Sequence, residues 1–473
     1  MTLLLLALSF VFPVGAGWMI VSILFQSNRV RSIDFKIWMA LGTGFGLASV
    51  NLSLFVVLFG SVKRSFIWGE LFLLSVILFC FFVRQRGNSS QNEQQLQEVP
   101  AEKASWVVSV LFFGLLAIQL VISVILTLQT PHGYGDAVAF WNSQARFLFR
   151  AGTEWKEALR LIGGLRSEYP FLVPATIVRF WSYGGAETIL APPLTAFIFT
   201  FGTVGLLVSS LSIARGRTQG FVGGLFLLAT PFFISHGASQ YADVPFGFFV
   251  LTSIALLSLS DQFEEVKWGL LSLSGAMAGF AAWTKNEGLL FLVSLIFSWI
   301  LVHAFTIKRS GFDRKLVAFM SGALPVLTLV IAFKVILATK NDLLATQGTY
   351  SPGKLLELTR YIATLKAFSK ELLRFDSIPF LALLVYGLFL QTEPTNTHRR
   401  SVYVSLLALS LTLAGYFLIY VTTPYDLVWH LETSLSRLLL QLWPSTIFIS
   451  LIFIRRPETT LQKTQTVTLI EAV

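Results

Sequence analysis

Acidic residues beside apolar segments are the features of this sequence that could do chemistry. Residues 133–141 read Gly-Tyr-Gly-Asp-Ala-Val-Ala-Phe-Trp and place the carboxylate of Asp136 just beyond an apolar run over about 105–127. Asp243, Glu287 and Asp426 stand in the same way beside other apolar runs. An ionisable side chain at this depth is costly in a membrane, so each of these residues is a functional candidate.

The composition indicates the class of protein that must position these carboxylates. The chain has 473 residues, of which 55% are hydrophobic and 13% charged, and its mean hydropathy is +0.72. Because a soluble domain could not bury so much apolar surface, the fold class is predicted to be all-α integral membrane. The N-terminal apolar run to about Phe25 lacks a basic leader and is predicted to be a retained span.

Cysteine count and charge exclude two other classes. Cys80 is the single cysteine, which rules out an internal disulfide and a cysteine metal cluster. The net charge of +10 is spread through the connections between apolar runs. That distribution is typical of topology-setting charge, so no nucleic-acid partner is predicted.

Apolar runs long enough to cross a bilayer recur along the chain. A transmembrane helix needs roughly 20 apolar residues, with a range of about 17–25. By this measure the sequence predicts a multi-span helical bundle of about 13 spans. The predicted spans are 2–25, 37–60, 66–83, 105–127, 190–213, 219–236, 244–260, 268–284, 288–306, 316–337, 377–391, 401–421 and 437–454.

Basic residues indicate which side of the membrane is cytoplasmic. If the spans alternate, the connections rich in Lys and Arg fall on one side, which the positive-inside rule assigns to the cytoplasm. The N-terminus is then predicted outside and the C-terminus inside. These connections contain Arg29, Arg31, Lys36, Arg84, Arg86, Lys103, Arg215, Arg217, Lys308, Arg309, Arg314, Lys315, Arg399, Arg400, Arg455 and Arg456.

Two long outer loops, 128–189 and 338–376, interrupt the series of spans. The first contains an amphipathic stretch over 138–150. The second contains Ser351-Pro352, a suitable N-cap followed by a proline for the first helical turn. Both stretches are predicted to form helices that lie in the membrane interface.

The outer connections together hold a set of titratable side chains. A carboxylate close to a hydroxyl can act as a general base, and Lys or Arg can bind a phosphate and stabilise it as it leaves. This chemistry suits transfer of a group from a membrane-embedded lipid phosphate to an acceptor hydroxyl at the outer face. The set is Asp136, Glu168, Asp243, Lys285, Glu287, Asp426, His430, Glu432 and Arg437.

A metal site is an alternative use of some of these residues. His132, His236 and His430 fall on the outer side with Asp136 and Asp243 and could hold a divalent cation. Nothing in their spacing is specific for a metal, so no metal ligand is assigned and the divalent cation stays open.

In order and spacing, the motifs resemble those of the GT-C glycosyltransferases, particularly bacterial members related to protein mannosyltransferases and aminoarabinose transferases. The resemblance covers about 128–454. Two departures are that an alanine follows Asp136 instead of an acidic residue, and that three spans, not one, precede the catalytic loop. The matching elements are Gly-Asp136-Ala-Val-Ala-Phe-Trp, Glu168-Tyr-Pro-Phe-Leu-Val-Pro174, Tyr241-Ala-Asp243-Val-Pro245, Thr284-Lys285-Asn286-Glu287-Gly288 and Arg437-Leu-Leu-Leu-Gln-Leu-Trp-Pro444.

This resemblance implies an organisation and a location. The location is the bacterial inner (plasma) membrane, with the active site facing the periplasm or exterior. The predicted units are a three-span N-terminal extension with a cytoplasmic linker, a transmembrane catalytic module, and a cytoplasmic tail, over 1–104, 105–454 and 455–473 respectively.

The resemblance also implies a donor and a mechanism. The donor would be a polyprenyl-phosphate sugar, and the acceptor a lipid, glycan or protein. Asp136 would deprotonate the acceptor hydroxyl in an inverting displacement, and Lys285, Arg437 and, as a third candidate, Arg146 would bind the phosphate. The predicted substrate-binding set is Asp243, Lys285, Glu287, Arg437, Arg146, Glu168 and His430.

Structural alternatives exist for the individual residues. Asp136 and Asp243 both precede helical segments and could cap them. Lys285 and Glu287 could simply pair with each other, and Arg437 could be a snorkelling anchor. Glu168 and Asp426 are better explained as loop structure than as chemistry when judged one by one.

Two other functions remain open. A flippase or transporter for lipid-linked glycans should carry paired charges and broken helices at mid-membrane, whereas charge within the spans is sparse here, Lys334 being the clearest case. An O-antigen ligase or polymerase would share the lipid carrier but transfer a glycan from a diphosphate.

Overall fold

The structure is a computed structural model that confirms the all-α fold class. It describes residues 2–25, 32–62, 65–88, 104–161, 167–306, 312–338, 352–374, 378–392 and 399–456. Within these ranges the secondary structure is helical apart from one isolated bridge between Thr392 and Ile454. No strand occurs in the described part of the chain.

Five helices form the N-terminal region. Ser32 begins the third of them by accepting a hydrogen bond from the Phe35 N–H at 3.3 Å, and Gly60 ends it in the left-handed conformation with φ 74°. The helices are α1 (Thr2–Leu8), α2 (Val11–Leu24), α3 (Ile33–Phe59), α4 (Phe66–Asn88) and α5 (Trp106–Gln129).

The segment predicted as the first outer loop is mostly helical, as the amphipathic pattern predicts. A π-helical turn over Ala137–Trp141 leads directly into α6, so the predicted helix over 138–150 is confirmed. The helices that follow are α6 (Asn142–Arg150), a 3₁₀ turn (Gly152–Glu154), α7 (Trp155–Leu161) and α8 (Leu172–Gly184).

The central part of the bundle follows. Its best-buried helix is α12, all of whose residues are buried, and which packs against helices α9 and α13. The helices of this part are α9 (Ala191–Arg215), α10 (Arg217–Leu228), α11 (Pro231–Ala238), α12 (Asp243–Ser260), α13 (Lys267–Thr284), α14 (Glu287–Thr306) and α15 (Phe312–Ile336).

The C-terminal part closes the bundle. The predicted second interfacial helix is present, with a 3₁₀ turn that begins at Pro352; its predicted cap, Ser351, lies outside the described residues. The remaining elements are that turn (Pro352–Leu356), α16 (Leu358–Leu372), α17 (Ile378–Leu390), α18 (Arg399–Thr422) and α19 (Leu427–Phe453).

Nine described helices are long and apolar enough to cross a membrane, or ten if α10 and α11, bent by 67°, count as one span. The predicted spans 2–25 and 377–391 coincide with shorter apolar helices, Val11–Leu24 and Ile378–Leu390. The predicted span 268–284 coincides with α13, which is not among the nine. Every predicted span thus falls on helix, while the count of about 13 exceeds the number that length and hydropathy support.

A buried ion pair joins the N-terminal helices to the rest of the bundle. Glu70 of α4 accepts two hydrogen bonds from the guanidinium of Arg179 of α8, at 2.6 and 2.8 Å, and one from the Tyr183 hydroxyl at 2.5 Å. Both charged side chains are fully buried. Removing one partner of such a pair strands a buried charge, so α4 is held firmly against α8. The division predicted at residue 104 stays a prediction.

Candidate active site

The carboxylate of Asp243 is the centre of the candidate site. Asp243 is the first residue of α12 and is only 2% exposed. Its Oδ1 accepts hydrogen bonds from Lys285 Nζ at 2.8 Å and from Gln441 Nε2 at 2.5 Å, and its Oδ2 lies 3.1 Å from His236 Nε2. With three partners in a buried position, Asp243 is a structural hub that fixes the side chains around it.

Lys285 connects this hub to a second carboxylate. It ends α13, two residues before Glu287 begins α14, and its Nζ lies 2.9 Å from Glu287 Oε1. Burial alone would lower the pKa of Lys285, but the carboxylates of Asp243 and Glu287 raise it above its ordinary value. Lys285 is therefore a permanent cation shared by two anions. The pairing of Lys285 with Glu287 is confirmed, and Asp243 is an additional partner.

A second ion pair is more exposed to solvent than the first. The guanidinium Nη1 of Arg437 on α19 contacts Asp136 Oδ2, which links two residues far apart in sequence. The Arg437 guanidinium also lies over the ring of Tyr241, 5.5 Å from its centroid. The Asp136 side chain is 34% exposed and that of Arg437 23% exposed, so solvent or a substrate can reach this pair.

Tyr241 and Gly135 set the position of Asp136. The Tyr241 hydroxyl faces the backbone here, and a Cβ at Gly135 would come within 2.3 Å of it. Gly135 also has a positive φ of 41°, which glycine adopts most easily. Burial raises the pKa of Tyr241, and the backbone of Asp136 is one of its hydrogen-bond partners. Gly135 thus permits the Tyr241 hydroxyl to lie close to the backbone, which places the neighbouring Asp136 within contact distance of Arg437.

One face of α19 supplies several of these groups. His430, Ser434, Arg437 and Gln441 follow each other at helical spacing and therefore share a face. Gln441 is held from both ends, because its Nε2 donates to Asp243 while its Oε1 accepts from the Tyr416 hydroxyl at 2.8 Å. This fixes the rotation of α19 one turn from Arg437.

Three further predicted site residues, Arg146, His430 and Glu168, contact other groups. Arg146 Nη2 lies 3.4 Å from His132 Nδ1. His430 Nδ1 lies 2.9 Å from Thr423 Oγ1. The backbone carbonyl of Glu168 accepts a hydrogen bond from Lys334, which also donates to Asn286 of the motif that holds Lys285.

Helix capping explains one of the three aspartates and not the other two. Asp426 does cap α19, since its carboxylate accepts from the Trp429 N–H at 2.8 Å. Asp136 and Asp243 stand at helix starts without a side-chain cap hydrogen bond. The cap explanation is therefore wrong for both, and their carboxylates face Arg437 and Lys285 instead.

The described residues contain no group of three or more His, Cys, Asp or Glu side chains arranged to hold a metal ion. Of the histidines proposed as ligands, His236 is bound to Asp243, and His132 and His430 have the partners given above. The divalent cation left open by the sequence therefore has no assigned ligands in this part of the chain.

An apolar cavity of about 390 Å³ opens beside the site cluster. This cluster consists of the side chains joined by the contacts above: Asp136, His236, Asp243, Lys285, Glu287, Tyr416, Arg437 and Gln441. The wall formed by α19 runs from Ser436 to Ser450, which is about 21 Å at 1.5 Å per residue. Ser436 and Leu440, which flank Arg437 in sequence, line one end of this wall, whereas Arg437 itself does not line the cavity. Leu406 of α18 also lines it and is 43% exposed, so the cavity is accessible from the side of the bundle.

Sequence reasoning missed two members of the cluster, Gln441 and Tyr416. Both are uncharged residues within long apolar helices, so neither stands out as a charge against the apolar sequence. The signal available for Gln441 is its position four residues after Arg437, which places both on one helical face. Tyr416 carries no comparable signal.

Comparison with known proteins agrees with this architecture. Residues 170–333 match the family model described as dolichyl-phosphate-mannose-protein mannosyltransferase, a family of the GT-C superfamily. The match contains Asp243, Lys285 and Glu287 but neither Asp136 nor Arg437. No curated protein and no solved structure shows a significant match. The resemblance to GT-C enzymes is thus confirmed over these residues, and with the multi-span helical bundle it supports a membrane glycosyltransferase of the GT-C type.

Proposed function

We propose that the protein transfers a sugar from a polyprenyl-phosphate donor to an acceptor hydroxyl at the extracytoplasmic face, with inversion. The observation that carries this proposal is the pairing of Asp136 with Arg437, next to α19 residues that line an apolar cavity. A base for the acceptor and a cation for a phosphate are thereby paired, and an apolar space for a lipid chain begins at neighbouring residues of the same helix.

Asp136 is the proposed general base. Arg437 contacts its Oδ2, and Oδ1 has no side-chain partner among the described residues. The acceptor hydroxyl oxygen attacks the anomeric carbon, and its proton passes to Asp136. The bond from that carbon to the phosphate oxygen breaks, and its electron pair leaves with the polyprenyl monophosphate.

Arg437 is the proposed ligand of the departing phosphate. Its Nε is buried without a hydrogen-bond partner, and guanidinium groups bind phosphates through paired N–H donors. Lys285 fits a different role from the one its sequence motif suggested. Because Lys285 is buried between two carboxylates, it supports the cluster by charge instead of contacting the phosphate.

The lipid chain of the donor would occupy the cavity along α19. A chain lying from Ser436 to Ser450 would follow the helix from the phosphate at Arg437 towards the cytoplasmic side. Its walls are predominantly apolar, and each buried methylene contributes about 0.8 kcal/mol. Glu287, Glu168, Arg146 and His430 remain proposed substrate-binding residues.

The loss of Arg437 should weaken use of the donor. We expect Arg437→Ala to reduce kcat/KM for the lipid-linked donor by about 10–100-fold, because a charge-assisted contact contributes roughly 1.5–3 kcal/mol. Arg437→Lys should recover only part of this loss, since ammonium cannot reproduce the fork. Steady-state kinetics with varied donor measures the effect. Unchanged donor kinetics in Arg437→Ala would reduce this residue to an interfacial anchor.

The proposed sidedness has its own test. In a background with Cys80→Ser, Val428→Cys at the outer end of α19 should react with an impermeant maleimide added to intact cells. Arg86→Cys at the other end of α4 should react only after permeabilisation. Both positions are exposed. Labelling of Arg86→Cys in intact cells would reverse the orientation, and with it the bacterial periplasmic or exterior location.

A flippase for lipid-linked glycans is the second candidate, and the bend of 67° between α10 and α11 favours it. Against it, Asp243, Lys285 and Glu287 stand at the ends of their helices and not midway along them. A transfer assay distinguishes the two functions. Purified protein incubated with radiolabelled polyprenyl-phosphate sugars and a membrane-lipid extract should move the label onto a new acceptor, whereas a flippase would leave it on the carrier.

A further inference from the structure

A second apolar cavity, of about 110 Å³, lies on a different side of the same cluster. Its inner wall is an aromatic group of Phe171, Trp283 and Phe333, whose rings contact each other with centroids 4.8 to 6.3 Å apart. Trp283 stands two residues before Lys285, and Phe333 directly precedes Lys334. Two of these aromatic residues are therefore close in sequence to lysines of the candidate site and its surroundings.

The opposite wall comes from the N-terminal helices and the outer loop. Ser53 and Val57 on α3 line it, together with Lys156 on α7. These residues lie outside the family match over 170–333. The cavity therefore exists only because the N-terminal helices pack against the matched segment.

The opening of this cavity lies between helices that are candidate membrane spans. Val57 is 46% exposed and Ile336, at the end of α15, is 58% exposed, and both belong to such helices. In the predicted topology, these ends of α3 and α15 lie on the same side of the membrane as Asp136. A chain that enters here comes from the leaflet next to the site, and none of the residues lining this cavity lines the one along α19.

The polar groups of the cavity indicate the charge of its occupant. Lys156 is the charged residue that lines it, and its side chain is exposed. The indole N–H of Trp283, another lining residue, is buried and has no hydrogen-bond partner. A cation beside a mostly apolar space, with an unpaired donor on a lining residue, complements an anionic headgroup above an aliphatic chain.

We propose that this second cavity binds the aliphatic part of a membrane-anchored, anionic acceptor, so that the acceptor class is a lipid-linked molecule and not a protein. This inference rests on the proposed function, because it supplies the second substrate for the same transfer. Donor and acceptor then approach from separate lipid-facing openings, and their reacting groups meet at Asp136 and Arg437.

Filling each cavity separately tests the assignment. Ala332→Phe fills the second cavity, and Ser410→Phe fills the one along α19; both residues line their cavities. We expect Ala332→Phe to raise the half-saturating amount of a membrane-lipid extract about tenfold, equivalent to about 1.4 kcal/mol, with donor KM unchanged. Ser410→Phe should do the reverse. Val335→Phe is the matched control on α15, since Val335 is 79% exposed and does not line the cavity.

A second cavity-filling variant and a measurement of bound lipid complete the test of the acceptor site. Val57→Phe fills the mouth from α3, should Ala332→Phe fail to fold. Native mass spectrometry of protein released from phosphatidylglycerol vesicles counts retained lipids whether or not transfer occurs. Wild type and Val335→Phe should keep one more lipid than Ala332→Phe. Equal lipid counts, an effect of Ala332→Phe on donor KM, or label found only on protein would each overturn the proposal. Retained lipid without any transfer would instead count against the proposed function alone.

Discussion

Asp136→Asn should leave the protein folded and nearly inactive. The amide is almost isosteric with the carboxylate, so the local backbone and the approach to Arg437 are retained. It cannot accept the proton of the acceptor hydroxyl, and removing a general base lowers turnover by about 10²–10⁴-fold. Single-turnover transfer from preloaded donor, measured beside the thermal melting temperature, should show the loss of rate with little change in stability.

Two comparisons make this result interpretable. Asp426→Asn is the matched control, because Asp426 caps α19 and asparagine caps as well as aspartate; it should keep full activity. Donor binding to Asp136→Asn should also remain, since Arg437 is intact. An active and stable Asp136→Asn variant would remove Asp136 from the catalytic role.

Lys285→Met should destabilise the protein strongly. Methionine fills a similar volume but leaves the Asp243 carboxylate, 2% exposed, without its main counter-charge. Breaking a buried ion pair from one side costs about 3–5 kcal/mol. We expect a large fall in the melting temperature in detergent.

The double variant separates this charge effect from lost packing. Asp243→Asn in the Lys285→Met background removes one of the two stranded charges, while Glu287 keeps the other. Gln441 and His236 can still contact the amide. Stability should therefore recover in part relative to Lys285→Met alone. A melting temperature in Lys285→Met equal to that of wild type would show that Lys285 does not neutralise Asp243.

Most of the fold follows from hydropathy, because every apolar run predicted as a span falls on a helix. The count of spans follows less well. The helix breaks after Leu8 and at Thr230-Pro231 divide apolar runs into shorter helices. Hydropathy averaged along the sequence does not reveal such breaks, because the residues on both sides are apolar. The interfacial helix over 138–150 was predictable because its polar and apolar residues alternate with helical period.

The candidate site was partly predictable for a physical reason. Charges that must be kept at the membrane boundary stand out against apolar sequence, and this identified Asp136, Asp243, Lys285, Glu287 and Arg437. Their pairing did not follow, since Asp136 and Arg437 meet only through the packing of distant elements. Gln441 and Tyr416 could not be predicted in this way because they are neutral. The buried Glu70–Arg179 pair shows in addition that an ionisable group within a span can have a structural role.

Product analysis of a single reaction distinguishes inverting transfer from a lipid monophosphate from every alternative function. Purified protein is incubated with an anomerically defined polyprenyl-phosphate sugar and a membrane-lipid extract. The released carrier is then identified by mass spectrometry, and the anomeric configuration of the product by NMR. We expect one polyprenyl monophosphate per sugar transferred and an inverted anomeric centre. A retained configuration, release of a diphosphate carrier, or sugar that stays on its original lipid would contradict the proposed function.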